Sequence, residues 1–195
     1  MIVLKRLADA LAAKDTIVAV IRGSAVNHNG PDSGLTVPND SAQQALLRQA
    51  LAAAVVAPSQ VDYLETQGTG TALGDPIEVR SLDAVVRERR AADDPLLIGS
   101  VKTNIGHLEA ATGIAGLIKM ALALEHGVIS ASLHFHTSNP NIPWDESRVV
   151  VTPQWTLWPR RGKRRIAGVS SSISAAPMPM PSWRRPHGWR PFRTR

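Results

Sequence analysis

The stretch that decides the fold is Glu65-Thr-Gln-Gly-Thr-Gly-Thr-Ala-Leu-Gly-Asp-Pro-Ile-Glu78, in which a glycine- and threonine-rich segment separates two regular elements. Residues 61–66 form a short apolar run that predicts a buried strand. Asp75 can cap a helix that has Pro76 at its first position and Glu78 at its third. The stretch therefore predicts a strand, a loop and a helix in succession, which is the building unit of α/β folds.

The same alternation continues on both sides of this stretch. Toward the N-terminus, residues 17–21 predict a buried strand, and Ser41 with Gln44 forms a capping box for an amphipathic helix that runs until Pro58. Toward the C-terminus, a helix is predicted over residues 107–125 with Gly127 as its terminator, and strands over residues 96–101, 128–135, 149–151 and 166–170. These elements predict a layered α/β fold with helices that cover the sheet.

Composition narrows the classes of function. The chain has 195 residues and no cysteine, which excludes disulfides, thiolate metal sites and a cysteine nucleophile from these residues. Residues 160–195 hold ten of the 22 Lys and Arg residues and no acid, so the remainder carries 12 basic against 16 acidic side chains. A basic tail on an acidic body can bind polyanions nonspecifically, but it is no evidence for a nucleic-acid-binding fold. With no run of 18 apolar residues, we expect a cytoplasmic protein without a membrane segment.

The glycine-rich segment Gly68-Thr-Gly-Thr-Ala-Leu-Gly74 could be a phosphate or dinucleotide site at a helix N-terminus. Its spacing is not the dinucleotide-binding pattern, and Asp75 places a carboxylate where an anion would sit. A structural loop is therefore the favoured interpretation.

Three segments occur in order along the chain: residues 65–78 as quoted, Gly99-Ser-Val-Lys-Thr-Asn-Ile-Gly-His-Leu-Glu-Ala-Ala-Thr-Gly113, and Leu133-His-Phe135 with Asn139-Pro-Asn141. Together they resemble the β-ketoacyl synthase family, and the flanking phrases are similar to the ketosynthase domains of modular polyketide synthases. The resemblance runs from residue 1 to about Ser171. It implies a thiolase-like fold, layered α/β/α with a mixed sheet, of which this chain holds the second of two similar halves.

The resemblance also implies a chemistry. Members of the family condense an acyl thioester with a malonyl-type extender that is carried on an acyl carrier protein. The acyl group sits on a cysteine from the first half, and two histidines from the second half assist decarboxylation. No bound cofactor is implied, since the phosphopantetheine arm comes with the carrier protein. Residues 1–171 are therefore expected to be a half-domain whose nucleophile lies elsewhere.

Six residues fall on the family's functional positions. His107 matches one histidine, and its predicted place near a helix start favours a neutral ring. Gln67 stands where the family has the other histidine, so it is either an uncharged hydrogen-bond donor or only a polar loop residue. The resemblance pairs Lys102 with Glu78, and it implies that Thr69 and Thr71 bind the phosphopantetheine arm.

His134 and His136 alternate on a predicted strand and could share one face as metal ligands. Since no further carboxylate or cysteine completes a set of three or four, we expect no metal site.

Residues 172–195 depart from the family pattern. Pro177-Met-Pro-Met-Pro-Ser-Trp-Arg-Arg185 is what a family ending, Thr-Asn-Ala-His-Ala-Ile-Val-Glu-Glu-Ala, becomes when its codons are shifted by one base. We therefore expect a frameshift near Ser172 and a disordered tail of basic and proline residues. The alternative is a genuine basic tail that binds nucleic acid or anionic lipid.

The sequence thus predicts a partial β-ketoacyl synthase that is inactive alone. Its partners are expected to be an acyl carrier protein and acyl or malonyl thioesters. Two alternatives stay open: a noncatalytic module that binds acyl carrier protein, and a half-domain that complements a separate N-terminal half.

Overall fold

The computed structural model describes residues 1–29, 38–158 and 164–170. Helices and strands alternate along most of this length, as predicted. The helices are α1 (Leu7–Ala12), α2 (Asp40–Ala54), α3 (Gly74–Val86), α4 (Lys102–Ile105) and α5 (Thr112–His126). The strands are β1 (Tyr63–Glu65), β2 (Leu96–Gly99), β3 (Val128–Ile129), β4 (Val149–Val151), β5 (Thr156–Leu157) and β6 (Ala167–Val169).

Four of the strands form one parallel sheet in the order β4-β2-β1-β6. Strand β1 is central, with Tyr63 opposite Leu97 on one side and Ala167 on the other. A second, two-stranded sheet pairs β3 with β5 in the antiparallel sense. The parallel strands are short and apolar because helices cover both faces and leave little surface to water. The predicted α/β class is confirmed.

Side chains alternate between the two faces of the sheet and define two cores. On one face, Leu64, Ile98 and Val149 pack against Val79 and Leu82 of α3, and α2 packs against α3. On the other face, Tyr63 lies with Met120 and Ala123 of α5 and with Ile129 and Trp158. The order is therefore helices, sheet, helix, which is the predicted α/β/α layering.

The strand predicted at residues 17–21 is wrong. Ile17, Val18, Val20 and Ile21 are 38–54% exposed, and no described strand pairs with them. The segment instead passes close to α2, where a Cβ at Gly23 would lie 2.5 Å from the backbone nitrogen of Ala54. An apolar run becomes a strand only where a second strand offers its hydrogen bonds.

The predicted caps of α2 and α3 also differ from the structure. Helix α2 is capped by Asn39, whose side chain accepts a hydrogen bond from the N–H of Ala42, so the box at Ser41 does not form. It ends at Ala54, before Pro58. Asp75 does not cap α3, because its side chain accepts the N–H of Gly70 in the preceding loop instead.

Elements after β2 are shorter than predicted. The helix expected from His107 begins only at Thr112, because α4 and a 3-10 turn over Glu109–Ala111 precede it along the chain. Gly127 ends this helix in the left-handed conformation, with φ 68°, as predicted. The strand expected at residues 128–135 stops at Ile129. Strands β1, β2 and β6 lie inside their predicted ranges, and β4 matches its range. Strand β5 was not predicted.

No helix in the described ranges is long and apolar enough to cross a membrane. The predicted tail, residues 172–195, lies outside the described residues.

Candidate functional site

The candidate site lies beyond the carboxyl ends of β1 and β2. A cavity of about 590 Å³ opens there and is lined by Thr69, Glu78, Lys102 and His107, among others. The loops that follow parallel strands meet at this edge of a sheet, and ligands of α/β proteins bind there. The fold thus brings four of the six predicted site residues to one cavity, although Lys102 and Thr69 are 33 positions apart.

Glu78 on α3 organises the glycine-rich loop. Its side chain is buried, and its two oxygens accept hydrogen bonds from the N–H groups of Gln67 at 2.7 Å and Gly68 at 2.9 Å. Burial raises the pKa of this carboxyl group, while the two backbone hydrogen bonds oppose the rise. The N–H groups of the loop at Gln67, Gly68 and Gly70 thus donate to the protein's own carboxylates, Glu78 and Asp75. Because these N–H groups are already paired, they are not available to bind a phosphate, which agrees with the structural role predicted for the loop.

Lys102 contacts Gln67 instead of Glu78. Its Nζ donates to Oε1 of Gln67 at 3.1 Å, and Gln67 in turn donates its backbone N–H to Glu78. Within the described residues, Lys102 and Glu78 form no ion pair, which corrects the predicted direct pairing. The carboxylate of Glu78 already accepts two N–H groups of the loop, and Lys102 contacts the side chain of Gln67 instead. Partial burial lowers the pKa of Lys102, while the charges of Glu78 and Glu65 raise it.

The two threonines of the loop have different surroundings. Thr71 accepts a hydrogen bond from the N–H of Gly74, the first residue of α3, at 3.0 Å, while the N-cap position itself is Leu73. A Cβ at Gly74 would lie 2.5 Å from this oxygen, so a larger residue there would displace the Thr71 hydroxyl. Thr69 lines the cavity, and its hydroxyl lies 3.4 Å from that of Thr71.

His107 precedes the helix that was expected to begin with it. It is exposed, and its Nδ1 accepts the N–H of Glu109 at 2.9 Å and lies 3.4 Å from Oγ1 of Thr112. The helix-dipole argument therefore does not apply. In a neutral ring, an Nδ1 that accepts a hydrogen bond carries no proton. The proton of the neutral ring is then on Nε2, which can donate into the cavity that His107 lines.

His134 and His136 do not lie on a strand. His134 adopts φ 62° in a turn and lines the cavity. No group of three or more His, Asp or Glu residues suited to a metal ion occurs in the described part of the chain.

Sequence reasoning missed a buried polar cluster on the other face of the sheet, made by Tyr63, Glu65 and Lys119. Nζ of Lys119 lies 2.7 Å from Oε2 of Glu65 and 3.1 Å from the hydroxyl of Tyr63. One available signal was a lysine inside the otherwise apolar stretch Leu117-Ile-Lys-Met-Ala-Leu122.

Comparison with known proteins identifies the family and the fold. The sequence profile of the family described as "Beta-ketoacyl synthase, C-terminal domain" matches residues 18–136. The chain belongs to this family. As a ketosynthase C-terminal domain, it is 55% identical over 171 residues to a phenolphthiocerol/phthiocerol polyketide synthase of Mycobacterium tuberculosis (strain CDC 1551 / Oshkosh) and 49% identical to erythronolide synthase EryA3 of Saccharopolyspora erythraea. Each match covers 88% of this chain.

Solved ketosynthases share the fold. The oxazolomycin ketosynthase domain OzmH KS7 of Streptomyces albus JA3453 superposes with a TM-score of 0.83 at 38% identity, over 87% of this chain and 31% of that one. The ketosynthase from module 6 of the bacillaene synthase of Bacillus subtilis 168 gives 0.82 at 38% identity, over 87% of this chain and 30% of that one. The predicted resemblance to polyketide ketosynthases is confirmed.

The chain spans 9% and 5% of the two curated relatives. It corresponds to less than a third of each solved ketosynthase.

Proposed function

We propose that this domain supplies the part of a β-ketoacyl synthase site that holds the phosphopantetheine arm of an acyl carrier protein and assists decarboxylation of a malonyl-type thioester. The observation that carries the proposal is the single cavity lined by Thr69, Lys102 and His107 at the carboxyl edge of the parallel sheet. In this arrangement a binding residue, a cation and a hydrogen-bond donor face one space.

The donors suit an enolate. Decarboxylation of a malonyl thioester leaves negative charge on the thioester oxygen, and hydrogen-bond donors placed at that oxygen lower the barrier. Nε2 of His107, which lines the cavity, is such a donor, since its Nδ1 already accepts a hydrogen bond. The side-chain NH₂ of Gln67 is the second candidate, because Oε1 of Gln67 already accepts from Lys102, which lines the cavity. Because Gln67 replaces a histidine of the family, we propose that the step is slow.

Condensation needs a nucleophile that these 195 residues lack. The chain has no cysteine to carry an acyl group, and Lys102 bonds to Gln67 within the site. We therefore propose that the chain alone decarboxylates weakly and does not form a carbon–carbon bond.

The test is incubation of the chain with malonyl acyl carrier protein, followed by mass spectrometry of the carrier-bound thioester. We expect slow conversion of malonyl to acetyl thioester, lost in His107→Ala, and weaker carrier binding in Thr69→Val. Thr156→Val is the matched control, because Thr156 is an exposed threonine of β5 outside the cavity. Binding without conversion would favour a noncatalytic carrier-binding module, and the absence of both would overturn the proposal.

A second candidate function is that of a complementing half-domain, and the exposed apolar segment at residues 17–21 favours it. Ile17, Val18, Val20 and Ile21 present β-branched side chains to solvent without a partner strand in the described ranges, a surface typical of an interface. Co-expression with a cysteine-containing N-terminal half of a ketosynthase should give a 1:1 complex. Light scattering that shows a tight monomer at high concentration, unaffected by that half, would argue against this function.

A further inference from the structure

The buried cluster of Tyr63, Glu65 and Lys119 lies against the loop that carries Lys102. Tyr63 and Glu65 are 0% and 2% exposed, and the Lys119 side chain is 11% exposed. Their contacts are the 2.7 Å ion pair between Lys119 and Glu65 and the 3.1 Å hydrogen bond from Lys119 to the Tyr63 hydroxyl. Charges this deep in a protein are costly to desolvate, so each needs its partner.

The second oxygen of Glu65 contacts the segment that carries Lys102. Oε1 accepts a hydrogen bond from the backbone N–H of Val101, the residue directly before Lys102. Val101 is the N-cap of α4, which begins with Lys102. One carboxylate therefore joins helix α5, through Lys119, to the first residue of the turn that carries the site lysine.

Helix α5 is shaped to admit this carboxylate. A Cβ added at Gly116 would lie 3.1 Å from Cγ of Glu65 and 3.2 Å from Cγ1 of Val169. Gly116 and Lys119 are three residues apart and lie on the same helix face. The glycine leaves the space in which Glu65 reaches Lys119.

We propose that Lys119 is a positioning residue for Lys102: through the carboxylate of Glu65 it fixes the N–H of Val101 and so the place of the Lys102 ammonium beside Gln67. The charge of Glu65 also raises the pKa of Lys102, against the effect of burial. The consequence for the reaction rests on the proposed function, whereas the positioning itself is a property of the folded chain.

Hydrogen exchange measured by NMR tests the positioning directly. In Lys119→Met, we expect the Val101 amide to exchange at least about tenfold faster, because its acceptor loses the charge partner that holds it. The Leu96 amide, which donates to Arg148 in the same sheet at 2.7 Å, should change much less. Arg48→Met is the matched control, since it removes another 2.7 Å ion pair, with Glu88, on the exposed surface.

A uniform rise in exchange at Val101 and Leu96 would mean that the ion pair only stabilises the fold, and it would overturn the proposal. An unchanged Val101 amide would overturn it as well. If Lys119→Met does not fold, Lys119→Gln replaces it, since glutamine keeps a polar side chain without the charge. The exchange rates of the Val101 and Leu96 amides are then compared in the same way.

The consequence for the reaction is tested with a malonyl-pantetheine thioester. We expect Lys119→Met to lower kcat for decarboxylation about tenfold with KM nearly unchanged, because Lys102 is displaced while Thr69 is not. A rise in KM with constant kcat would overturn the link to the reaction. A wild-type chain without decarboxylation would count against the proposed function, and the exchange experiment would still decide whether Lys119 positions Lys102.

Discussion

Lys102 donates a hydrogen bond from Nζ to Oε1 of Gln67 across 3.1 Å, so a glutamine stands in contact with the site lysine where a histidine was expected. Gln67 also donates its backbone N–H to Glu78. The lysine and the glutamate are thus linked through one residue, and a change at residue 67 alters the contact made by Lys102, which lines the cavity.

Replacing Gln67 by histidine should increase decarboxylation. A neutral histidine can accept from Lys102 through one ring nitrogen and donate through the other, so the contact is kept and a rigid donor is gained. We expect Gln67→His to raise the rate of malonyl thioester decarboxylation by up to about a hundredfold, since the loss of one well-placed donor costs about a hundredfold to a thousandfold in kcat. Gln67→Met, which lacks both functions, is the control and should fall below wild type; equal rates in all three would show that residue 67 takes no part.

Stability should fall as the pH rises above the ordinary range of a glutamate. Burial raises the pKa of Glu78, and burial also raises that of the half-buried Asp75. The folded state therefore binds more protons than the unfolded state between the ordinary and the raised pKa values, and stability present at low pH is lost through that window. Denaturant unfolding between pH 4.5 and 7.5 measures this slope.

Glu78→Gln removes one of these two contributions. The free energy of unfolding of this variant should vary less with pH than that of wild type. The variant should also be less stable by about 1–3 kcal/mol, because the amide oxygen takes the place of only one of the two carboxylate oxygens and one loop N–H loses its acceptor. Glu125→Gln changes an exposed glutamate of α5 and should keep the wild-type slope. A Glu78→Gln slope as steep as wild type would contradict the assignment.

The sequence predicted correctly those elements whose formation depends on residues close to one another along the chain. Strands β1 and β4 and helix α3 were predictable, because a short apolar run bounded by turn residues or a proline at a helix start carries its own signal. The segment at residues 17–21 has the same apolar pattern, yet whether it forms a strand depends on a neighbour that the described chain does not provide.

The site shows the same limit. Matching motifs placed Thr69, Lys102 and His107 at one cavity, but not the bond between Lys102 and Gln67, which depends on how two loops meet. Lys119 was missed because its partner Glu65 is 54 positions away, and a lysine in an apolar helix is by default taken to reach solvent.

The neutral ring of His107 should carry its proton on Nε2. The N–H of Glu109 occupies Nδ1 at 2.9 Å, so protonation there would break a hydrogen bond. Nitrogen-15 chemical shifts at pH 7.5 should show this tautomer at His107, with the exposed His126 as an internal comparison. A dominant Nδ1–H form would contradict the geometry and remove the proposed donor from the cavity.

The ending of the chain is best tested in its gene. One set of codons for Thr-Asn-Ala-His-Ala-Ile-Val-Glu-Glu, shifted by one base, reads Pro-Met-Pro-Met-Pro-Ser-Trp-Arg-Arg, which is the peptide at residues 177–185. We expect the other frame of the nucleotide sequence to encode a histidine-containing ketosynthase ending beyond Ser172. An unrelated peptide in that frame would favour a genuine basic tail, whose binding to nucleic acid would then weaken steeply with salt.

Whether the chain becomes acylated distinguishes a domain that only assists decarboxylation from an enzyme that condenses two thioesters. Incubated with acyl and malonyl acyl carrier proteins, the 195-residue chain should keep its mass and release no β-ketoacyl product, because it has no thiol to attack a thioester. Lys102, the lysine that lines the cavity, donates a hydrogen bond to Gln67 and is the amine to test as a substitute nucleophile. Intact-protein mass spectrometry measures the first outcome and analysis of the carrier-bound thioesters the second. An acyl adduct that disappears in Lys102→Met would identify a lysine nucleophile, and a β-ketoacyl product lost in His107→Ala would establish condensation without cysteine; either result would contradict the assignment of an assisting domain.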